Sequence, residues 1–314
     1  MAPLTVVIPT HNRARLLAEA IESVLGSALA LPARNVIVVD DGSTDDTAAV
    51  ARRFGVRYAQ VACGGPSGAR NAGLDFVDTE FVTFLDDDDC WLPENMHPQL
   101  VALRANPGAA FAFGKMQPTD MNLAPYGGPR PAVPAGVSPL EAALFYNAQV
   151  GTMLFRRDAV VDVGGFDPAL RYDEDRDLQV RLSLQYPVVA VDCVGLLFRT
   201  RPWSLAEVGI QKRAIRDLKV ALAKWRSAGV APSLLLRAEF KTRGFRSYCC
   251  ARDARHSISV GMSRLAMGQL KDAVFTSPVH AMVHQRILWE TVWELCRQAV
   301  MGPAPMPSAL EDFW

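Results

Sequence analysis

Short apolar runs alternate with amphipathic segments over the first 115 residues. Runs rich in β-branched and aromatic side chains predict strands at residues 4–8, 35–39, 56–61 and 80–85. Between them, a spacing of three to four residues predicts helices over residues 14–25, 43–54 and 66–77. Strands that alternate with helices are typical of βαβ units and of a mostly parallel sheet. The strands are apolar throughout, which indicates that helices cover both faces of this sheet.

The second half of the chain continues this pattern and then changes. Residues 116–138, rich in Pro and Gly, predict a long loop that covers a site. Further runs predict strands at 150–155, 186–192 and 195–199, with a helix over 174–184. Beyond residue 204 the pattern is helical, including 220–228 and 284–300. We therefore expect an α/β domain at 1–204 and a helical C-terminal extension at 205–314.

Composition excludes several classes of protein. Half of the 314 residues are hydrophobic and 21% are charged, so the chain can bury a substantial core and is neither disordered nor collagen-like. No run approaches 18 apolar residues, and no basic segment precedes the first apolar run. These features predict a cytoplasmic protein without a spanning helix or signal peptide. The six scattered cysteines indicate reduced thiols rather than a zinc site or a disulfide framework.

The net charge of zero conceals an uneven distribution. Residues 201–314 hold 17 of the 33 Lys and Arg residues but 9 of the 33 Asp and Glu residues. Between residues 211 and 264 there are 13 basic against 3 acidic side chains. This basic region is either a solvated helical face or a surface for an anionic partner, such as the inner leaflet of a membrane or a lipid diphosphate. It contains no motif that indicates binding to nucleic acid.

Polar segments follow three of the predicted strands: PTHNR at 9–13, DDGST at 40–44 and DDDDCW at 86–91. Ligands of open α/β sheets bind at the carboxyl ends of the strands. Four adjacent carboxylates, Asp86 to Asp89, favour a bound cation such as Mg²⁺ or Mn²⁺, although a solvated acidic turn has the same pattern. Asp40 and Asp41 can accept hydrogen bonds from a nucleobase or ribose.

Other polar residues have structural alternatives. Ser43 or Thr44 is predicted to cap the helix that follows, and Arg70 near a helix start suits a phosphate. Glu174 and Asp175 either form an acidic first turn of a helix or include a general base. Arg181 follows Asp177 at the i, i+4 spacing, which fits a surface ion pair on that helix. His280 and His284 have the same spacing, which a metal site can have, but a single pair of this kind is more often incidental, and we expect no metal there.

Seven motifs in order make residues 4–203 similar to the inverting glycosyltransferases of family 2, which have the GT-A fold. They are VVIPTHNR, VVDDGSTDDT, GARNAGL, FLDDDDCW, VGGFD, DEDRDLQVRL and FRTRPWS. The resemblance implies a nucleotide-sugar donor, a UDP-sugar above all, and a hydroxyl-bearing acceptor on a glycan, glycolipid or small molecule. It also implies a divalent metal, Mn²⁺ or Mg²⁺, and transfer by a single displacement that inverts the anomeric configuration.

The resemblance also assigns roles to residues. Donor-binding positions cradle the base, contact the ribose or lie near the diphosphate, and they are Pro9, Thr10, His11, Arg13, Asp41, Arg70, Asp86 and Asp87. Asp41 would accept the uracil N3 proton, and Asp88, the last residue of the D-x-D motif, would hold the metal. Asp175 would be the general base, supported by Glu174.

The chain departs from the family at Arg201, where a histidine that can ligate the metal is frequent. A guanidinium cannot ligate a metal, but it can bind a diphosphate. This departure leaves an inactive nucleotide-sugar-binding or scaffolding subunit as an alternative. A sugar nucleotidyltransferase is a further alternative, but it would have a Gly-rich loop with Arg and Lys after the first strand, where this chain has PTHNR. The sequence leaves the oligomeric state open.

Overall fold

The computed structural model describes residues 4–62, 64–134, 136–200, 210–259 and 263–277. The chain forms two units, Met1–Arg201 and Pro202–Trp314. Arg201, His280, His284 and the helix predicted over 284–300 lie outside the described residues. The free cysteines of the described part are Cys90, Cys193, Cys249 and Cys250.

The first unit begins with alternating strands and helices, as the sequence predicts. The strands are β1 (Leu4–Thr10), β2 (Val36–Asp40), β3 (Arg57–Gln60) and β4 (Phe81–Phe84). The helices are α1 (Ala14–Leu25), α2 (Thr47–Phe54) and α3 (Pro66–Asp75), with a short 3-10 turn at Ala33–Asn35 before β2. Strands β3, β2, β1 and β4 are adjacent in that order and parallel.

The rest of the first unit extends the same sheet. It comprises β5 (Cys90–Trp91), α4 (His97–Ala105), β6 (Phe111–Thr119), α5 (Pro139–Tyr146), a 3-10 turn (Val150–Thr152), β7 (Met153–Arg156), α6 (Arg157–Asp162), α7 (Glu174–Gln185) and β8 (Val188–Arg199). The full order is β3-β2-β1-β4-β7-β6-β8-β5. Because β7 is antiparallel to both of its neighbours and β5 is antiparallel to β8, the sheet is mixed, with four parallel and three antiparallel pairings.

Both faces of the central strands β1, β2 and β4 are buried, which explains why these strands are largely apolar. In β1, Val6 and Ile8 pack into a cluster with Leu17 and Ile21 of α1. Alternate residues of a strand point to opposite faces, so Val7 belongs to a second cluster, on the side of α3 and α7. The two layers of helices thus fix the sheet from both sides and hold the strand ends in place.

Several local predictions were wrong. Helix α2 begins at Thr47, not at residue 43, and its N-cap is Asp46. Ser43 does not cap it, because its Oγ accepts a hydrogen bond from the backbone N–H of Asn12 and its own N–H donates to Asp40. Asp40 and Asp41 therefore begin a turn that is hydrogen-bonded to the loop after β1. Because of this turn, α2 begins four residues later than predicted.

Strand boundaries also differ in the second half. Residues 116–119 belong to β6 rather than to the predicted loop, and residue 130 pairs with Met116 through two backbone hydrogen bonds. The runs at 186–192 and 195–199 form one strand, β8, with irregular register against β6. The run at 150–155 starts as a 3-10 turn and becomes β7 at Met153.

The second unit is helical in its described part, with α8 (Ile210–Ser227), α9 (Pro232–Ser259) and α10 (Ser263–Thr276). Trp225 of α8 is fully buried. Helices α9 and α10 pack through a small apolar cluster that includes Ile258 and Leu270, and Ser247 donates a hydrogen bond to the carbonyl of Ala273. Among the described helices, not one has the length and apolar character that a bilayer-spanning segment needs.

Candidate active site

The polar segments predicted at strand ends lie along one edge of the sheet. Strands β2, β1 and β4 are neighbours and run parallel, so their carboxyl ends meet at that edge. The turn after β1, the turn after β2 and the acidic loop after β4 therefore come together, although nearly 80 residues of sequence separate the first from the last. This convergence creates the candidate active site.

Asp41 and His11 form one side of the site. The Nδ1 atom of His11 lies 2.8 Å from the carbonyl oxygen of Asp41. The carboxylate of Asp41 accepts hydrogen bonds from the backbone N–H groups of Gly64 and Gly65, at 3.2 and 2.8 Å. Asp41 thus fixes the glycine turn that precedes α3, and His11 remains exposed beside it.

Asp87 is the buried anchor of the acidic loop. Its carboxylate accepts hydrogen bonds from the hydroxyl of Thr10 and from the guanidinium of Arg13, both at 2.7 Å. Burial, and to a smaller extent the charge of Asp88, raise the pKa of Asp87 to about 6 against the lowering effect of Arg13. Asp87 therefore joins the acidic loop to the segment after β1.

Arg70 connects the acidic loop to the start of α7. Its Nη2 atom lies 2.6 Å from Oδ1 of Asp86, and its Nη1 atom lies 2.8 Å from Oε1 of Glu174. Asp86 and Glu174, with their opposite charge, raise the pKa of Arg70 although burial lowers it. Burial raises the pKa of Glu174 against the lowering effect of Arg70.

Asp175 follows Glu174 in the first turn of α7. One of its carboxylate oxygens accepts a 2.7 Å hydrogen bond from the backbone N–H of Arg176. Burial, together with the charges of Glu174 and Asp173, raises the pKa of Asp175 to about 7, while Arg70 opposes the increase. A carboxyl group that titrates near neutral pH can exchange a proton with a hydroxyl substrate more readily than an ordinary aspartate.

A third arginine, Arg199, was not predicted as part of the site. Its backbone N–H donates to Asp89 at 2.9 Å, its Nη1 donates to the carbonyl of Asp88 at 2.8 Å, and its guanidinium pairs with Glu19 of α1. Two features of the sequence could have indicated this role: Arg199 lies within the FRTRPWS motif, and it lies at the end of an apolar strand. Burial and nearby acidic residues raise the pKa of Asp89 well above its usual range.

The helix that carries Asp175 also corrects one prediction. Asp177 and Arg181 do form an ion pair at 2.8 Å, but Asp177 is fully buried and the pair is not a surface feature. Arg181 also donates to the carbonyls of Val163 and Gly165. The pair therefore anchors α7 to the loop before it.

The acidic loop after β4 contains the candidate ligands for a divalent metal. All candidate ligands are carboxylate oxygens, which suits Mg²⁺ and Mn²⁺. Asp86 is bonded to Arg70 and Asp87 to Arg13, whereas the carboxylate of Asp88 lies 3.7 Å from Arg13. Within the described ranges, no group of three or more His, Cys, Asp or Glu residues is arranged to hold a metal. The donor set therefore fits a cation only where substrate phosphates supply further oxygen ligands.

The mixed sheet has the strand arrangement of the GT-A fold. Residues 5–160 match the family model described as Glycosyl transferase family 2. This match lies in the first unit, and it confirms the resemblance seen in the sequence.

Curated relatives agree with this assignment. The chain is 39% identical over 125 residues to GalNAc(5)-diNAcBac-PP-undecaprenol beta-1,3-glucosyltransferase of Campylobacter jejuni. It is 42% identical over 105 residues to the succinoglycan biosynthesis protein ExoW of Rhizobium meliloti. These alignments cover 36% and 31% of this chain, and 38% and 32% of the two relatives. The similarity thus spans about a third of each protein.

Solved structures show the same fold. Staphylococcus aureus TarS 1–349 in complex with UDP-GlcNAc aligns with a TM-score of 0.59 and 17% identity, over 96% of this chain and 92% of that chain. The mannosyltransferase PcManGT of Pyrobaculum calidifontis, in complex with GDP-Man and Mn²⁺, aligns with a TM-score of 0.59 and 19% identity, over 96% and 86%. At these identities the likeness establishes the fold alone.

Proposed function

We propose that this protein transfers a sugar from a nucleotide-diphosphate sugar to an acceptor hydroxyl, with inversion at the anomeric carbon. The observation that carries the proposal is the convergence of Asp41, the acidic loop and the Glu174–Asp175 pair at one sheet edge, with Arg70 between the loop and the pair. Donor-binding and proton-accepting groups must lie side by side in such an enzyme, because the acceptor attacks the donor directly.

The turns after β1 and β2 and the acidic loop bind the donor in this proposal. In this proposal Asp41 accepts a hydrogen bond from the N–H of the base. The base is surrounded by Pro9, Thr10 and His11, and the ribose contacts Asp86 or Asp87. We favour UDP, and the TarS structure with UDP-GlcNAc supports this choice for the fold. The PcManGT structure with GDP-Man shows that the fold also accepts another base. The preference for one nucleotide base must therefore be measured.

The chemistry needs a proton acceptor and charge neutralisation. Asp175 removes the acceptor's hydroxyl proton as the oxygen attacks, and its raised pKa matches this task. We assign the diphosphate to Arg13, because its side chain is 32% exposed beside Asp87 and Asp88. A divalent cation held by Asp88 would supply additional neutralisation of the leaving group when bound. The one-step attack from the opposite face produces inversion.

Calorimetric titration of UDP, GDP, CDP and dTDP, each with Mn²⁺, Mg²⁺ or EDTA, tests the donor site. We expect one nucleotide to bind and to bind more tightly with metal. Asp192→Asn, an exposed carboxylate on β8 paired with Lys115, is the matched control and should bind normally. Release of nucleotide from a panel of its sugar conjugates then tests turnover. If none of the four nucleotides binds, the donor site is wrong; binding without any turnover supports the scaffolding alternative.

The acceptor is proposed as a hydroxyl of a glycan or glycolipid. Two relatives are named for a polyprenyl-diphosphate-linked glycan and for succinoglycan biosynthesis, which supports this class. Transfer to short oligosaccharides, with and without a lipid diphosphate, compares the two forms. Transfer to neither form, with free monosaccharides accepted, would replace the glycan by a small molecule. The configuration of the product, read from the anomeric proton coupling, tests inversion.

We also propose that the second unit contacts an anionic membrane surface. Its helices are rich in basic residues, and Leu236 and Phe275 are 69% and 81% exposed. Basic and apolar groups together suit a phospholipid leaflet. Sedimentation with phosphatidylglycerol vesicles should exceed that with phosphatidylcholine vesicles and should fall in Leu236→Ser and Phe275→Ser. Val101→Ser, 55% exposed in the first unit, is the control. Equal sedimentation of all these proteins would overturn this contact.

A further inference from the structure

Arg70 is held by partners on both sides. Its side chain is 4% exposed, and its two terminal nitrogens contact Asp86 and Glu174, at 2.6 and 2.8 Å. The third nitrogen, Nε, is buried and has no hydrogen-bond partner. Both terminal nitrogens are occupied, so contact with a diphosphate through them would leave Asp86 or Glu174 without this partner. Glu174 is buried, and loss of the partner of a buried carboxylate is strongly unfavourable.

The surroundings of Arg70 also restrict its movement. The guanidinium carbon lies 5.3 Å from the centre of the Phe166 ring, which is a cation–π distance. Asn71, the next residue of α3, donates to the carbonyl of Phe166 and accepts from its N–H, both at 2.8 Å. Ser67 donates to the carbonyl of Leu170, close to the start of α7. Helix α3 and the segment before α7 thus form one bonded block around Arg70.

Arg13 differs from Arg70 in each of these respects. Its side chain is 32% exposed, and it lies 2.7 Å from Asp87 and 3.7 Å from Asp88. Arg13 is therefore accessible to solvent beside the acidic loop, whereas Arg70 is buried. The sequence predicts a diphosphate contact for Arg70, but burial favours Arg13 for that role.

We propose that Arg70 is a positioning residue that couples the donor-side carboxylate of Asp86 to the acceptor-side pair Glu174–Asp175, and that it does not bind the diphosphate. This inference rests on the proposed glycosyl transfer. An arginine suits the position because its planar guanidinium bonds two carboxylates in fixed directions, whereas a lysine presents a single point charge. The two halves of the reaction are then held in register by one side chain.

Arg70→Lys keeps the charge and loses the fixed bridge, so it is the primary test. The matched control is Arg156→Lys: Arg156 also pairs with a carboxylate, Glu80, and stacks on a phenylalanine, Phe81, but it lies away from the site. Affinities for UDP and for UMP are measured by calorimetry with Mn²⁺, and kcat is measured for transfer. A diphosphate ligand would affect UDP more than UMP, because UMP lacks the second phosphate.

We expect Arg70→Lys to retain the wild-type ratio of UDP to UMP affinity and to lose about 10²-fold in kcat, as a small misplacement of reacting groups does. Arg156→Lys should keep both quantities. Loss of the UDP preference over UMP would overturn the inference and return Arg70 to the diphosphate. An unchanged kcat would also overturn it.

Glu174→Gln is the second variant, and it serves if Arg70→Lys does not fold. It removes one charge from the bridge and leaves the contact between Arg70 and Asp86. The charged groups facing Asp175 are Glu174, Asp173 and Arg70, so loss of the Glu174 charge lowers the pKa of Asp175 and shifts the acidic limb of the kcat profile to lower pH. A reduced kcat with that shift and with normal UDP affinity supports the coupling; a normal kcat contradicts it.

The failure of this inference can be distinguished from failure of the proposed function. Absence of turnover in the wild type would refute the proposed function. The ratio of UDP to UMP affinity would still report whether Arg70 binds the diphosphate.

Discussion

The hydroxyl of Thr10 donates a hydrogen bond of 2.7 Å to Oδ2 of Asp87, which lies 77 residues later in the sequence. This bond joins the end of β1 to the loop after β4. Both residues are buried, and Arg13 occupies the other oxygen of the same carboxylate. The acidic loop therefore has its position set by β1, the strand that also begins the proposed donor site.

Thr10→Val should weaken both stability and donor binding, because it leaves a buried carboxylate short of one donor. Loss of a hydrogen bond to a charged group costs about 1.5–3 kcal/mol in the free energy of unfolding, measured by urea denaturation. Thr5→Val is the control, since Thr5 is buried on the same strand but bonds to the neutral hydroxyl of Thr79. We expect weaker UDP binding in Thr10→Val and not in Thr5→Val. Equal UDP affinity in the two variants would contradict a role of this bond in the donor site.

Gly73→Ala should destabilise the first unit, because α3 approaches the sheet too closely there for a side chain. An added Cβ would lie 2.3 Å from Cγ1 of Val7 and 3.1 Å from Cγ2 of Val39. Overpacking of this kind costs about 1–3 kcal/mol in the free energy of unfolding. Gly108→Ala, where no atom lies within 4 Å of the added group, should unfold like the wild type. If both variants unfold at the same denaturant concentration, the close packing of α3 on β1 is incorrect.

Local periodicity was sufficient to predict most elements of the sheet and its helices. The helix predicted over 14–25 spans Ala14–Leu25, and the helix predicted over 174–184 ends one residue later. Helix α2 was misplaced because the hydrogen bond from the backbone N–H of Asn12 to Ser43 depends on a neighbouring turn. Propensity within a short window contains no information on such a partner.

The site shows the same limit. The motifs predicted Asp86 and Glu174 as site residues. They did not predict that either residue pairs with Arg70, since the Arg70–Glu174 contact spans 104 residues of sequence. The burial of Asp177 and the three contacts of Arg199 were missed for the same reason. Contacts of this kind follow from the order of strands in the sheet, which hydrophobic periodicity does not determine.

Asp88→Asn should remove the metal dependence of nucleotide binding. Asp88 is the residue proposed to hold a divalent cation together with donor phosphates, and an amide is a weaker ligand for a hard cation than a carboxylate. Calorimetry of UDP with Mn²⁺ and with EDTA should give different affinities for the wild type and similar affinities for the variant. The control is Asp45→Asn, a carboxylate of the turn after β2 that bonds to Ala14 and Thr47. Metal-dependent binding that persists in Asp88→Asn would show that other residues hold the cation.

Asp175→Asn should lose transfer by about 10²-fold or more, which is the range of general-base catalysis, while UDP affinity stays normal. In the wild type the same residue should set the pH dependence, since only the ionised carboxylate accepts a proton. Because the pKa of Asp175 is raised to about 7, kcat should rise as the pH increases through neutrality. A kcat that is constant from pH 5.5 to 8.5, or a variant as active as the wild type, would assign the base elsewhere.

The raised pKa of Asp175 also predicts how stability changes with pH. The folded protein holds this proton up to about pH 7, whereas the unfolded chain releases it near 3.8. Between these values the folded state binds more protons, so the contribution of Asp175 to the free energy of unfolding decreases as the pH rises. Asp175→Asn removes this contribution, and it should therefore gain stability relative to the wild type from pH 4.5 to pH 7.5, measured by urea denaturation in EDTA. Asp192→Asn should show a small change of the opposite sign, because Lys115 lowers the pKa of that exposed carboxylate. A stability difference between Asp175→Asn and the wild type that is independent of pH would contradict the raised pKa.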